Sequence, residues 1–178
     1  MHIFWVVMTG ACVLPGNARL VTEQSEIPSS QHWVRVAPGY PDDFLTTEGA
    51  VRVAENVLLY QLDSGAWPKN LPMQFELTDE EKDTVRSWKD NPKKGTLDNG
   101  ATFTELRFLA RMYKATGSAE YLESVKRGIE FLFYMQYPCG GFAQTDPKKQ
   151  GYWSMATFND GVTVNALETL RSVWMASA

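Results

Sequence analysis

Histidine and cysteine are nearly absent from this chain of 178 residues, with two of each: His2, His32, Cys12 and Cys139. No His/Cys zinc cluster can be assembled from so few ligands. A Ser-His-Asp arrangement would rest on His32 alone, which sits in a polar, loop-like stretch and reads as a surface residue. Long apolar runs are lacking too. The run from Ile3 to Leu14 is roughly 12 residues, too short for the roughly 20 that a bilayer-spanning helix needs. Basic charge is not in excess: 17 Lys and Arg against 21 Asp and Glu give a net charge of −4. That balance argues against nucleic acid or an anionic membrane as the main partner, while leaving room for an acidic polymer received by local cations. No stretch alternates polar and apolar residues with period two, so nothing signals a half-buried strand.

The first 18 residues contain no Lys, Arg, Asp or Glu. Their apolar run is followed by Pro15 and by Gly16-Asn17-Ala18, a small-x-small pattern. This reads as a secretory signal peptide without the usual basic start, and it implies a secreted or periplasmic protein. Its removal leaves Cys139 alone, with no internal disulfide available. Residues 19–44, polar with scattered Pro and Gly, read as a loop-like leader.

From residue 45 to 178 the apolar spacing is helical. Val51, Ala54, Leu58 and Leu62 predict a helix over about residues 46–62, closed by Ser64-Gly65-Ala66-Trp67-Pro68. Thr78 and Glu81 form a capping box ahead of Val85 and Trp88. Phe103, Leu106, Leu109 and Tyr113 mark a third helix, stopped by Gly117. Ser118 is placed to cap a fourth, with Leu122, Val125, Ile129 and Leu132 on its apolar side. A fifth starts near Asp160 and carries Val164, Leu167, Leu170 and Trp174. The fold class is therefore all-α. Amphipathic helices need a second layer to cover them, and five do not complete a set of hairpins. The expected architecture is an incomplete barrel of helical hairpins, with self-association through the last helix.

Two pairs of segments repeat. Asp98-Asn99-Gly100-Ala101-Thr102 and Asn159-Asp160-Gly161-Val162-Thr163 each set a carboxylate beside a carboxamide, then Gly, a small residue and Thr, directly before a helix. Asp, Asn and Thr are also common helix caps. If the fold brings the two helix starts together, their oxygens suit a hard cation such as calcium or sugar hydroxyls. The second pair is Gln61-x-x-x-Gly65-Ala66-Trp67 and Gln136-x-x-x-Gly140-Gly141-Phe142. Each follows a helix and ends on an aromatic, and helical hairpins around an axis set such turns on one rim. Trp67 and Phe142 are read there either as rings for stacking on sugars or as plugs at a helix end.

The blocks Asp98 to Tyr113, Trp67-Pro68-Lys69-Asn70, Gln136 to Phe142 and Thr157-Phe158-Asn159-Asp160 resemble, in order and spacing, the N-terminal half of a pectate lyase of polysaccharide lyase family 10. The likeness runs over roughly residues 45–176. The resemblance implies an α/α toroid and calcium-dependent β-elimination of polygalacturonate. It implies metal-associated carboxylates at Asp98 and Asp160, contacts to substrate or to the metal's ligands at Asn99 and Asn159, and substrate contacts at Lys69 and Asn70, to which the rim reading adds Trp67 and Phe142 as substrate-binding rings. The chain departs from the family pattern at Gly161, at Phe142-Ala143 and at Ser154-Met155. The family's catalytic arginine lies in a C-terminal half that this sequence does not reach, so elimination is expected to be impaired. Two other readings stand beside it. One is a non-catalytic binder of acidic polysaccharide. The other is a glycoside hydrolase using Asp98 and Asp160 as acid and base.

Overall fold

The computed structural model describes residues 32–149 and 151–177. The signal-peptide reading, His2, Cys12 and the leader as far as residue 31 lie outside the described residues. Helix α1 (Trp33–Val36) and the 3-10 turns Ala37–Gly39 and Phe44–Thr46 come first. The five predicted helices follow as α2 (Glu48–Tyr60), α3 (Asp79–Arg86), α4 (Phe103–Thr116), α5 (Ala119–Tyr134) and α6 (Val162–Ser177). Among the described residues there is no strand, only the isolated bridges Gln136 to Phe142 and Ala143 to Ala156.

Local chemistry sets the helix ends. Thr47 Oγ1 accepts the Ala50 N–H at the start of α2. At α3 the capping box closes in both directions, Glu81 N–H to Thr78 Oγ1 and Thr78 N–H to Glu81 Oε2. Gly117 ends α4 in the left-handed conformation, φ +71°, where a Cβ is unfavourable. Ser118 stands at the start of α5 as expected, but its side chain makes no capping bond.

Helix α4 is the centre of the fold and packs against both α5 and α6. Its buried Phe103, Leu106, Phe108, Leu109 and Met112 meet Val57 and Tyr60 of α2 and Val125 and Leu132 of α5 in one core. Residues 32–44, read from sequence as loop, are instead short helical turns pinned by aromatic packing. Buried Trp33 meets Phe108 edge to face at 5.2 Å, and Tyr40 stacks on Phe44 at 4.5 Å. Arg111 joins α4 to the same segment through the Tyr40 carbonyl and the Asp42 carboxylate.

The twin glycine turns have one geometry. Gly65 and Gly140 both have φ +85°. The Gln61 amide donates to the Gly65 carbonyl at 3.0 Å and the Gln136 amide to the Gly140 carbonyl at 3.3 Å. Leu62 N–H bonds the Ala66 carbonyl, and Tyr137 N–H the Gly141 carbonyl. Both turns drive their aromatic inward. Trp67 and Phe142 are 0% exposed, and the Trp67 indole N–H is spent on the Val57 carbonyl at 2.7 Å. This corrects the expectation that Trp67 and Phe142 are substrate-binding rings: they are the helix-end plugs, because burying so large an apolar ring outweighs displaying it.

The two turns differ in what surrounds them. A Cβ on Gly65 would lie 2.2 Å from the Arg127 carbonyl oxygen, whereas one on Gly140 meets nothing within 4 Å. G140A therefore carries only the left-handed backbone penalty, about 1–2 kcal/mol. G65A adds a backbone clash and is expected to cost about 3 kcal/mol or more. Urea unfolding of the two variants checks this; equal losses would reject the close-approach explanation.

Candidate functional site: a polar corner of paired turns

The segment from Trp67 to Asn70 and the turn from Asp98 to Thr102 are tied by one hydroxyl. Thr102 Oγ1 donates to the Thr96 carbonyl at 2.9 Å and accepts the Trp67 N–H at 3.1 Å. Among the described residues, the non-glycine positions with positive φ are Asn70 (+61°), Asn99 (+53°) and Thr102 (+68°). All three fall in this corner. Asparagine tolerates that conformation; threonine, β-branched, is strained there. Strain of this kind gathers at functional sites. Thr102 stands at the start of α4 without capping it, because its hydroxyl is committed to the other two segments.

The two turns then pair residue by residue. The Lys69 ammonium bonds Asp98 Oδ2, and Asn99 Nδ2 donates to Asn70 Oδ1 at 3.1 Å. Gln144 Nε2 donates to Asp98 Oδ1 at 2.5 Å. Gln144 was not marked as a candidate from sequence. Its carbonyl also accepts Leu97 N–H and the Thr96 hydroxyl, so it fixes the carboxylate and the turn that carries it. Burial opposes ionisation of Asp98, but bonds from Lys69, Gln144 and the Asn99 backbone win and hold its carboxyl below the usual carboxylate range. The Asp98 side chain is 14% exposed and that of Lys69 is 45%. The ammonium thus bridges a sheltered anion and open solvent. A carboxylate held ionised does not suit the general-acid half of a glycosidase pair.

The second turn copies the first. Asn159–Gly161 is a 3-10 turn that lies against Asp98–Gly100. Its Asn159 N–H bonds Thr157 Oγ1 as Asp98 N–H bonds Thr96 Oγ1, at 2.9 and 3.1 Å. Thr163 Oγ1 donates to the Thr157 carbonyl at 2.8 Å, the counterpart of Thr102 on Thr96. The fold therefore brings the two repeated segments together. The Asp160 side chain lies outside the described structure. Arg107 reinforces the junction by donating to Asn165 Oδ1 of α6 at 2.9 Å. Glu105 and Arg107, two positions apart, face opposite ways: Arg107 turns toward α6, and Glu105 is buried on the other side, facing α1.

Calcium would need more oxygens than this corner presents. The described residues supply one carboxylate, from Asp98, and the carboxamides of Asn99 and Asn70. No group of three or more His, Cys, Asp or Glu side chains forms among them. Lys69 already neutralises the Asp98 face that a divalent cation needs. With that ion pair closed, the described residues do not form a calcium cage, which takes six to eight oxygens.

An all-α fold whose oxygen-rich corner is built from paired Asp/Asn turns, with a half-exposed lysine, has the character of a site for a polar, anionic ligand. The comparisons give the family of the chain. The model of the pectic acid lyase family matches residues 61–178, and the chain belongs to that family. Two solved structures are similar. One is a mutant of the family 10 polysaccharide lyase from Cellvibrio cellulosa in complex with trigalaturonic acid: 36% identity, TM-score 0.57, covering 72% of this chain and 38% of that one. The other is the family 10 polysaccharide lyase from Cellvibrio cellulosa: 33% identity, TM-score 0.56, covering 78% and 38%. The chain thus spans about two fifths of the length of these lyases, whose fold is the α/α toroid. A comparison with curated proteins gives no match.

One titrating group beside the corner reports on its integrity. Glu105 is 1% exposed, and burial pushes its carboxyl up to about 8, against smaller opposing effects of the Glu105 and Thr102 backbone, Trp33 and Arg107. A raised folded-state value means that the native state holds this proton more tightly than the unfolded chain. Its stabilisation is complete below the ordinary glutamate value and is lost as pH rises through about 8. Thermal unfolding of the wild type should therefore weaken from pH 6 to pH 9. E105Q, which cannot ionise, should lose that slope; an unchanged slope would assign it to other groups.

Proposed function

We propose that this chain binds polygalacturonate or a related acidic polysaccharide at the Lys69–Asp98 corner, in the service of pectate-lyase-type β-elimination. The observation that carries the reading is the half-exposed Lys69 ammonium held on a sheltered, ionised Asp98. A uronate carboxylate arriving from solvent is the same chemical group as the one Lys69 already grips, so the lysine can exchange Asp98 for substrate with little loss. Asn70, Asn99 and Asn159 stand close by and offer carboxamides to sugar hydroxyls.

Once Lys69 turns to the substrate, Asp98 is free, and the adjoining Asp160 turn supplies the second carboxylate. Asp98 and Asp160 would then hold a calcium ion, whose chemistry is to stabilise the negative charge that develops on a uronate as its C5 proton leaves. Family membership supports the calcium reading. The likeness to a lyase complexed with trigalaturonic acid supports the choice of polymer. Secretion, read from residues 1–18, suits a protein that meets such a polymer outside the cell. Val164 and Leu167 of α6 remain exposed among the described residues and support self-association; a compact monomer in sedimentation would reject that part.

The test uses the purified chain with polygalacturonate and excess calcium at mildly alkaline pH. Ultraviolet absorbance of the unsaturated uronide reports elimination, and a pull-down reports binding. Binding is expected to fall about tenfold in K69A, the equivalent of roughly 1.4 kcal/mol, and to fall in D98N with the calcium dependence lost. An absorbance rise that a chelator abolishes identifies elimination within this chain. Binding without any rise supports the non-catalytic binder. Binding unchanged in both variants rejects the corner as the site.

A further inference from the structure

The twin glycine turns correspond beyond their plug rings. Two residues after each ring stands a polar side chain: Lys69 after Trp67, and Gln144 after Phe142. Lys69 and Gln144 are separated by the same distance in sequence as Gln61 and Gln136, or Gly65 and Gly140. The signal lies in the repeat rather than in the residues around Gln144. Both side chains reach one acceptor. The Lys69 ammonium bonds Asp98 Oδ2, and the Gln144 carboxamide donates to Asp98 Oδ1 at 2.5 Å. Two copies of one supersecondary unit thus grip the two oxygens of one carboxylate, one copy with a charge and the other without.

The two grips are mounted differently. Gln144 is 7% exposed. Its backbone N–H bonds the Trp153 carbonyl at 3.2 Å, and its carbonyl takes the Leu97 N–H and the Thr96 hydroxyl. Just before it, Ala143 N–H bonds the Met135 carbonyl at 3.1 Å and pairs with Ala156 in a bridge. The residue is therefore fixed to the end of α5 and to the turn that carries Asp98. The Lys69 side chain is 45% exposed, on a flexible four-carbon stem. One grip is built in, and the other can leave. The difference matters because a carboxylate released at Oδ1 can turn and offer both oxygens to the ammonium. Bonds between ionised partners are stronger than neutral ones, so Asp98 without Gln144 would hold Lys69 more tightly.

We propose that Gln144 is a positioning residue: it fixes Asp98 Oδ1, so that Oδ2 alone is exchanged when Lys69 changes partner. Gln144 acts through Asp98 and touches no substrate itself. The proposal rests on the acidic-polysaccharide reading, which makes Lys69 the group that leaves.

The test uses Q144M, which removes the donor while keeping the backbone bonds and nearly the side-chain volume. Trigalacturonate affinity is measured by calorimetry in excess calcium for wild type, Q144M, K69A and the double variant. Q144M is expected to bind about fivefold more weakly than wild type, and to change nothing further in K69A, where no ammonium remains to be held. Equal losses in both backgrounds would mark a merely structural role, and no loss in either would mark none; both overturn the proposal. A second arm follows solvent exchange of the assigned Gln144 side-chain amide by NMR in the ligand-free chain. Its protection is expected to survive in K69A and to be lost in D98A. Protection lost in K69A means that Gln144 follows Lys69 rather than fixing Asp98, and overturns the proposal too. If wild type does not bind trigalacturonate, the polysaccharide reading falls, and the exchange arm still decides whether Gln144 holds Asp98 by itself. Should Q144M not fold, that arm decides alone.

Discussion

The Thr102 hydroxyl is the constraint on which the corner depends. It joins the Trp67 N–H to the Thr96 carbonyl and so fixes the distance between two turns far apart in sequence. To reach both, Thr102 takes a left-handed conformation that costs a β-branched residue of the order of 1–3 kcal/mol. The surrounding core sustains that strain, with Trp67, Phe103 and Leu106 all fully buried. Once the two turns are held together, Lys69 meets Asp98 and Asn70 meets Asn99. Neither pairing follows from its own segment.

The electrostatics of the corner are set by Asp98 and its partners rather than by the chain's small net charge. Asp98 is sheltered enough to interact strongly and has enough donors to stay ionised. Lys69 is exposed enough to leave it. A buried pair would be locked, since opening it leaves an unpaired charge out of water. A fully exposed pair would be worth little. On the reading proposed above, this intermediate placement lets the lysine exchange Asp98 for a carboxylate of the polymer. Glu105, one turn into α4, has the opposite fate. It has no cation bonded to it and is deep in the core, so burial raises its carboxyl to about 8 and favours the protonated form at neutral pH.

Much of this was legible in the chain itself. The five helices follow from apolar spacing at 3.6 residues, the α3 start from Thr78 and Glu81, and the α4 stop from Gly117. The twin Asp/Asn-Gly turns could be matched as sequence, and their hydrogen bonds repeat atom for atom at Thr96 and Thr157. Trp67 and Phe142 misled because a glycine turn before an aromatic fixes where the ring starts, not which way it points. Direction came from what lay behind the turn: the Val57 carbonyl and the α4–α5 core. Gln144 carried no local signal, being one polar residue in a short extended stretch whose role depends on Asp98, 46 positions away. Residues 32–44 looked like loop because their helical turns are too short to show periodicity, and Trp33 is buried through tertiary packing on Phe108 and Tyr40.

The sequence by itself determined the helices, the turn chemistry and the identity of the oxygen-bearing residues, because each depends on neighbours within one or two turns of chain. Only the tertiary structure decided that Lys69 would neutralise Asp98, that Trp67 and Phe142 would be buried plugs rather than platforms, and that Glu105 would be buried beside Trp33. Those outcomes depend on burial and on distances between segments that approach only when α4 is packed between α5 and α6. Periodicity and spacing hold no record of them.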